Sequence, residues 1–125
     1  MKGITKALIK SVTVNEKMQD KVPVEVPVDI IFDIPFGGII GLELCLTNPI
    51  DNQRLESLLK YAGVSNVEDL TGRVVRQVNY GSYLLGLGHP IENKFVPTFT
   101  EDFMEIDTSR FEELLDGLSY IHSLK

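Results

Sequence analysis

From residue 22 to residue 46 the chain alternates apolar and other side chains with a period of two. Val22, Val24, Val26, Val28, Ile30, Phe32 and Ile34 alternate with Pro23, Glu25, Pro27, Asp29, Ile31, Asp33 and Pro35. Ile40, Leu42, Leu44 and Leu46 then resume the pattern, with Gly41 and Glu43 between them. A helix cannot use this period, whereas an extended strand puts all of one set on one face. The segment therefore predicts strands with one buried face. Pro23 and Pro27 cannot donate ladder hydrogen bonds, so the first half is expected at an edge or as a lead-in. Pro35-Phe36-Gly37-Gly38 has turn chemistry. Residues 29–34 and 39–47 thus read as a hairpin.

The flanks give the remaining elements. Residues 4–14 read as a first strand, with Leu8, Val12 and Val14 on the face of Ile4. Lys6 and Lys10 make it an edge or half-exposed strand. Residues 15–21 read as a polar connection. Asn48 is a cap, Pro49 suits a first helical position, and Asp51 complements the positive end of the helix. Leu55, Leu58, Leu59 and Ala62 form one apolar stripe, and Gly63 is the stop. Ser65 and Glu68 have the spacing of a capping box opening one short turn to Leu70. Residues 73–78 and 83–87 read as a second hairpin, with Gly86 and Gly88 marking a bulge or a close backbone approach. A last helix is expected from Ser109 to Ser123, capped by Ser109 and Glu112. Phe111, Leu114, Leu115, Leu118 and Ile121 form its stripe. The expected order is β-β-β-α-β-β-α: a single α+β domain over residues 1–125, with a mostly antiparallel sheet of about five strands and one or two packed helices.

Charge excludes more than it assigns. The 125 residues carry 18 acids and 12 bases, a net charge of −6. Residues 1–100 hold 11 acids against 10 bases, and residues 101–125 hold 7 against 2. The acidic end cannot bind nucleic acid by neutralising phosphates. One cysteine and two histidines cannot supply a four-ligand Cys/His zinc site. No long apolar run follows the start of the chain, so no export signal is expected. Residues 28–46 are long enough to span a bilayer. However, Asp29, Asp33 and Glu43 would each cost about 2.5–3.5 kcal/mol near its centre. The expected location is the cytoplasm.

Few residues suggest chemistry. His89, between Gly88 and Pro90, could act as a general base, or it could bond a backbone carbonyl at a strand end. Cys45 lies near the start of the first helix, which lowers a thiol pKa, or it is a small apolar filler. Gly37-Gly38-x-x-Gly41 lacks the Lys-Ser/Thr of a phosphate loop, and a strand follows it. The sequence Ser-Asn-Val-Glu-Asp-Leu after the first helix carries acids where a DNA-reading helix needs bases. Arg73, Arg76, Tyr80, Tyr83 and His89 mix cations with aromatics, the composition of a site for a nucleotide-like ligand. Tyr80 and Tyr83 at a hairpin tip also suit protein recognition. Glu101, Asp102, Glu105 and Asp107 open an acidic stretch. It is either a solvated surface or a face for a basic partner. No cofactor and no metal site is expected.

Several short stretches resemble small phage and prophage proteins of unsettled function. They are Lys6-Ala7-Leu8-Ile9-Lys10-Ser11-Val12, Leu58-Leu59-x-x-Ala62-Gly63-Val64, Glu68-Asp69-Leu70-x-Gly72-x-x-Val75-Arg76 and Leu85-Gly86-Leu87-Gly88-His89-Pro90. The resemblance implies a mobile-element origin and action by binding a host protein. The expectation is a small acidic, non-enzymatic protein that binds a host or defence protein through Glu101, Asp102, Glu105, Asp107, Tyr80 and Tyr83. The alternative is a homo-oligomer that sequesters a nucleotide-like ligand through Arg73, Arg76, Tyr80, Tyr83 and His89.

Overall fold

A computed structural model describes residues 3–35, 38–80 and 83–123, with side chains through residue 118. The fold is α+β. Its main sheet has six strands in the order β5-β4-β1-β6-β7-β8, every neighbouring pair antiparallel. These strands are β1 (Ile4–Val14), β4 (Pro27–Ile34), β5 (Gly38–Cys45), β6 (Val74–Tyr80), β7 (Tyr83–Gly88) and β8 (Phe95–Pro97). From Val28 onward the expected alternation is the core itself, whereas Val22 and Val24, expected on the same buried face, are 59% and 52% exposed. Val28, Ile30 and Phe32 of β4 are buried, with Ile40 and Leu44 of β5 beside them. Of the expected glycine turn at 35–38, Phe36 and Gly37 lie outside the described residues, as do Gly81 and Ser82 of the second hairpin.

β1 is not an edge strand. It pairs with β4 on one side and β6 on the other. Nor does it keep one parity. Ile9 pairs with Phe32 and Ser11 with Ile31, so Lys10 is one residue extra in the ladder. Such a bulge moves every later side chain to the other face. Ala7 and Ile9 are therefore in the core, Leu8 is 42% exposed, and Val12 packs against the core beyond the bulge.

The expected long strand at 22–34 breaks at Val26 into β3 (Val22–Glu25) and β4. The supposed connection at 15–21 contains β2 (Lys17–Gln19), which pairs with β3. The two form a ribbon that continues the β1–β4 hairpin outward. Its turn holds Asp20 and Lys21 at positive φ, 51° and 66°. That is the backbone of a two-residue turn matched to strand twist. The missing N–H of Pro27 costs little where the main ladder begins, and its carbonyl still accepts from Asn15 N.

Helix α1 (Pro49–Ala62) begins and ends as expected. Asn48 Oδ1 accepts from Ile50 N at 2.9 Å and Asp51 N at 3.1 Å, and Gly63 closes the helix at φ 74°. The short turn Val67–Asp69 has no side-chain cap, so the Ser65–Glu68 capping box does not form. Its end still drives Leu70 into the core. Helix α2 (Thr108–Ser123) starts one residue earlier than expected. Asp107 Oδ1, not Ser109, accepts from Arg110 N, and Asn93 Oδ1 takes the Thr108 amide.

The helices lie on opposite faces of the sheet. Val75, Leu87 and Val96 join Leu55, Leu58 and Tyr61 of α1 in one core. Val78, Phe95 and Phe111 form a second core with Leu115 of α2. The residues alternate between the two, as the pleat requires. The second core depends on two bare positions in β7. Gly88 lies between Arg76 and Phe95 in the ladder, and Gly86 between Val78 and Pro97. The Phe95 ring lies over Gly88, and the Phe111 ring over Gly86. The two rings meet edge to face at 6.1 Å.

A Cβ on Gly86 would sit 2.6 Å from the fully buried Phe111 ring, and one on Gly88 would press the Phe95 ring harder. Gly86→Ala and Gly88→Ala should each cost about 1–3 kcal/mol by overpacking. At Gly41 a Cβ would meet only Ile31 Cδ1, at 3.5 Å. Gly41→Ala should therefore stay within about 0.5 kcal/mol. Denaturant unfolding of the three variants reads the difference; equal losses would refute the close approach.

Candidate functional site

The β7–β8 connection is held from β6. The Arg76 guanidinium lies 4.9 Å over the Phe95 ring. Its Nε donates to His89 O and its Nη2 to Glu92 O. His89 N donates to Lys94 O at 2.9 Å, which closes the loop. Arg76 is thus committed to backbone carbonyls and an aromatic face, and its charge is already engaged.

His89 is an acceptor inside this loop. Its Nδ1 takes hydrogen bonds from Ile91 N at 3.1 Å and Glu92 N at 2.9 Å. A nitrogen that accepts two amides carries no proton, so the neutral ring holds its hydrogen on Nε2. Nε2 lies 3.8 Å from Glu92 Oε2. The expected bond from the ring to a backbone carbonyl is reversed: the backbone donates and the ring accepts. Lys94, 3.1 Å from Glu92, holds the Glu92 carboxyl below its usual range.

The five residues of the nucleotide-like site do not converge. Tyr80 and Tyr83 face each other across the β6–β7 tip, 75% and 70% exposed. Arg76 lies four residues back along β6, about 13 Å away at the rise of a strand. Arg73 lies farther still, before β6, where its carbonyl accepts from Ile9 N. Arg73 is exposed.

The acidic stretch also divides. Glu105 Oε2 accepts from Tyr61 Oη at 2.5 Å. Asp107 caps α2. Glu101 and Asp102 are exposed. Further on, Glu113 pairs with Arg110 at 2.9 Å. The chain leaves β8 towards the tyrosine tip, since Thr98 N bonds Leu85 O and Thr98 Oγ1 bonds Leu84 O. Glu101 and Asp102 follow three and four residues later.

This segment packs on a face of α1 that the apolar stripe does not reveal. Arg54 is only 7% exposed; its Nη2 donates to Thr100 O, and Asp51 lies 3.4 Å from its Nη1. Arg54 and Tyr61 are seven residues apart and flank Leu58, so helical spacing alone could have placed them on the buried face. Between α1 and the segment is a shallow groove of about 280 Å³, lined by Gln53, Glu56, Ser57, Lys60, Phe103 and Glu105. A second hollow of about 360 Å³, beside Lys6, Leu8, Asp33 and Val74, opens on the other face of the sheet.

Cys45 is half-buried, and its Sγ lies 3.0 Å from Thr47 Oγ1. That hydrogen bond, with a backbone contribution from Val26, lowers the thiol pKa. The neighbouring hydroxyl, not the helix start, is the main cause. Among the described residues, no group of three or more His, Cys, Asp or Glu side chains could hold a metal ion. No described helix is long and apolar enough to cross a membrane. Compared with family models, curated proteins and solved structures, the chain matches none.

Burial first, and the Glu105 bond second, raise the Tyr61 pKa far above its ordinary value. A raised pKa adds stability that is complete below the unfolded value, about 10, and fades as pH rises beyond it. Wild-type stability should therefore fall above about pH 10. Tyr61→Phe should be less stable at neutral pH by about 1 kcal/mol, and its stability should fall less steeply on the alkaline side. Denaturant unfolding at a series of pH values checks this; parallel alkaline slopes for the two proteins would contradict it.

Proposed function

We propose that this chain is a small acidic, non-enzymatic binding protein of mobile-element origin. It acts in the cytoplasm by occupying a surface of a host or defence protein. The observation that carries the reading is the tyrosine pair. Tyr80 and Tyr83 stand opposite each other on adjacent strands, largely exposed, at the end of a six-stranded sheet. Two aromatic side chains with few rotatable bonds, held on a rigid scaffold, give contact area at low entropic cost.

Charge gives the pair a second component. The chain runs from β8 towards the tip and then exposes Glu101 and Asp102. A partner that fits both features would offer an apolar or aromatic pocket to the tyrosines and, separately, basic groups to the segment that Arg54 ties to α1. Glu105 and Asp107 are engaged within the fold and support this surface without forming it. The nucleotide-like reading has less support, because its arginines and tyrosines are separated along β6. No cofactor belongs to the proposal.

Affinity capture from a bacterial host, comparing variants, tests the reading. Tyr80→Ala with Tyr83→Ala should abolish capture of the partner. Glu101→Lys with Asp102→Lys should slow its association most at low salt. Both pairs of substitutions should leave the unfolding midpoint close to wild type. Capture that is undiminished in the tyrosine variant overturns the proposal.

A further inference from the structure

The first core contains a side chain that its surroundings do not satisfy. Gln77 is 0% exposed, and neither its Oε1 nor its Nε2 has a hydrogen-bond partner among the described residues. Turning the amide over does not help, since both atoms lack a partner. Two further buried side-chain atoms share this state, Asn79 Oδ1 and Arg54 Nε. Arg54 differs, because its two terminal nitrogens are engaged at Asp51 and Thr100. Among the described residues, Gln77 alone is buried with its whole polar group unused. A buried amide in that state keeps the full desolvation cost of both atoms.

The ladder places its neighbours. β6 keeps its parity through Asn79, because the irregularity in the β6–β7 pairing adds Leu85 on β7. Gln77 and Asn79 therefore point to the same face as Val75, the face that α1 covers. Across the sheet, Gln77 pairs with Thr5 of β1 and Leu87 of β7, and Leu87 belongs to the first core. Thr5 Oγ1 accepts from Asn79 Nδ2 at 3.3 Å, which leaves the hydroxyl hydrogen of Thr5 to be donated. Gln77, Asn79 and Thr5 thus form one polar corner of the core, on the side of the β6–β7 tip.

We propose that this corner is a binding site for an internal water molecule. The chemistry of the corner selects the occupant. Gln77 Nε2 and the Thr5 hydroxyl have hydrogens to give, while Gln77 Oε1 and Asn79 Oδ1 have lone pairs to fill. An anion could only accept and an ammonium could only donate, so either would leave half of the corner unmet. Gln77 lines neither the groove of about 280 Å³ nor the hollow of about 360 Å³, and its zero exposure keeps larger molecules in solvent from touching it. Water is the smallest molecule that both donates and accepts, and buried waters sit where about three polar groups converge. The spacing suits it. Residues two apart on a strand are about 7 Å apart at Cα, and two hydrogen bonds through a water span about 5–6 Å. The water accepts from Gln77 Nε2 and from the Thr5 hydroxyl, and donates to Asn79 Oδ1. Three of the four unused positions are then met, and Gln77 Oε1 remains.

A crystal structure of the wild-type chain tests the site without any substitution. It should place a water within hydrogen-bond distance of Gln77 Nε2, Asn79 Oδ1 and Thr5 Oγ1. Oxygen-17 relaxation dispersion of the solvent tests it in solution, because it counts waters that tumble with the protein. Gln77→Met keeps a long unbranched side chain but removes the amide, and it should hold one long-lived water fewer per chain than wild type. Gln77→Glu keeps the shape and an oxygen at the same place; it serves as the second variant if Gln77→Met does not fold, and it should also lose the signal, since its carboxylate has no hydrogen to give the water. A crystal structure in which Gln77 bonds protein atoms directly, with no water at the corner, overturns the proposal. So does a water held by Asn79 and Thr5 alone, or a dispersion amplitude that both variants leave at the wild-type level.

Discussion

Two missing side chains in β7 hold much of this molecule together. Gly86 and Gly88 let the Phe111 and Phe95 rings lie directly on the sheet. Phe111 anchors α2, and Phe95 anchors β8. Arg76 lies over the Phe95 ring and reaches on to the carbonyls of His89 and Glu92. The loop then presents two amides to His89 Nδ1. Helix, last strand and loop thus follow from one close approach of rings to bare backbone. Dispersion over two ring faces is large only because nothing intervenes.

The sequence reveals what is local. Asn48, Pro49 and Gly63 bound α1 because capping needs only neighbours within one turn. The alternation of β4 and β5 is visible because the same face stays buried along both strands. The Lys10 bulge leaves no local sign; it exists because β1 must fit β4 and β6 together. β8 is three residues long and exists through its pairing with Gly86–Gly88 and its bridge to Ile106. Asp107 and Ser109 both have cap chemistry. The choice goes to Asp107, with Asn93 holding the adjacent Thr108 amide from a loop fifteen residues away.

The candidate site shows the same division. The tyrosines were legible because an exposed hairpin tip is a local feature. The members of the cation–aromatic cluster are spread out, because proximity in composition is not proximity in a strand. At about 3.3 Å per residue, seven positions carry a side chain more than 20 Å. His89 was legible as a strand-end residue, but its polarity was not. Whether the ring donates or accepts depends on how the loop 89–94 closes, and Arg76 decides that from another strand.

The acidic end shows how structure narrows a charge argument. Seven carboxylates against two bases suggest a uniform negative surface. Several of them have partners within the fold. Glu105 receives the Tyr61 hydroxyl, Asp107 caps α2, and Glu113 pairs with Arg110. A carboxylate held by an amide or a phenol is oriented by the fold and keeps less of its field for a partner. Glu101 and Asp102, on the segment that Arg54 ties to α1 through Thr100, remain exposed. The segment is anchored on both sides of them, by Arg54 before and by Tyr61 after. Their position is therefore set by α1, not by a mobile acidic tail.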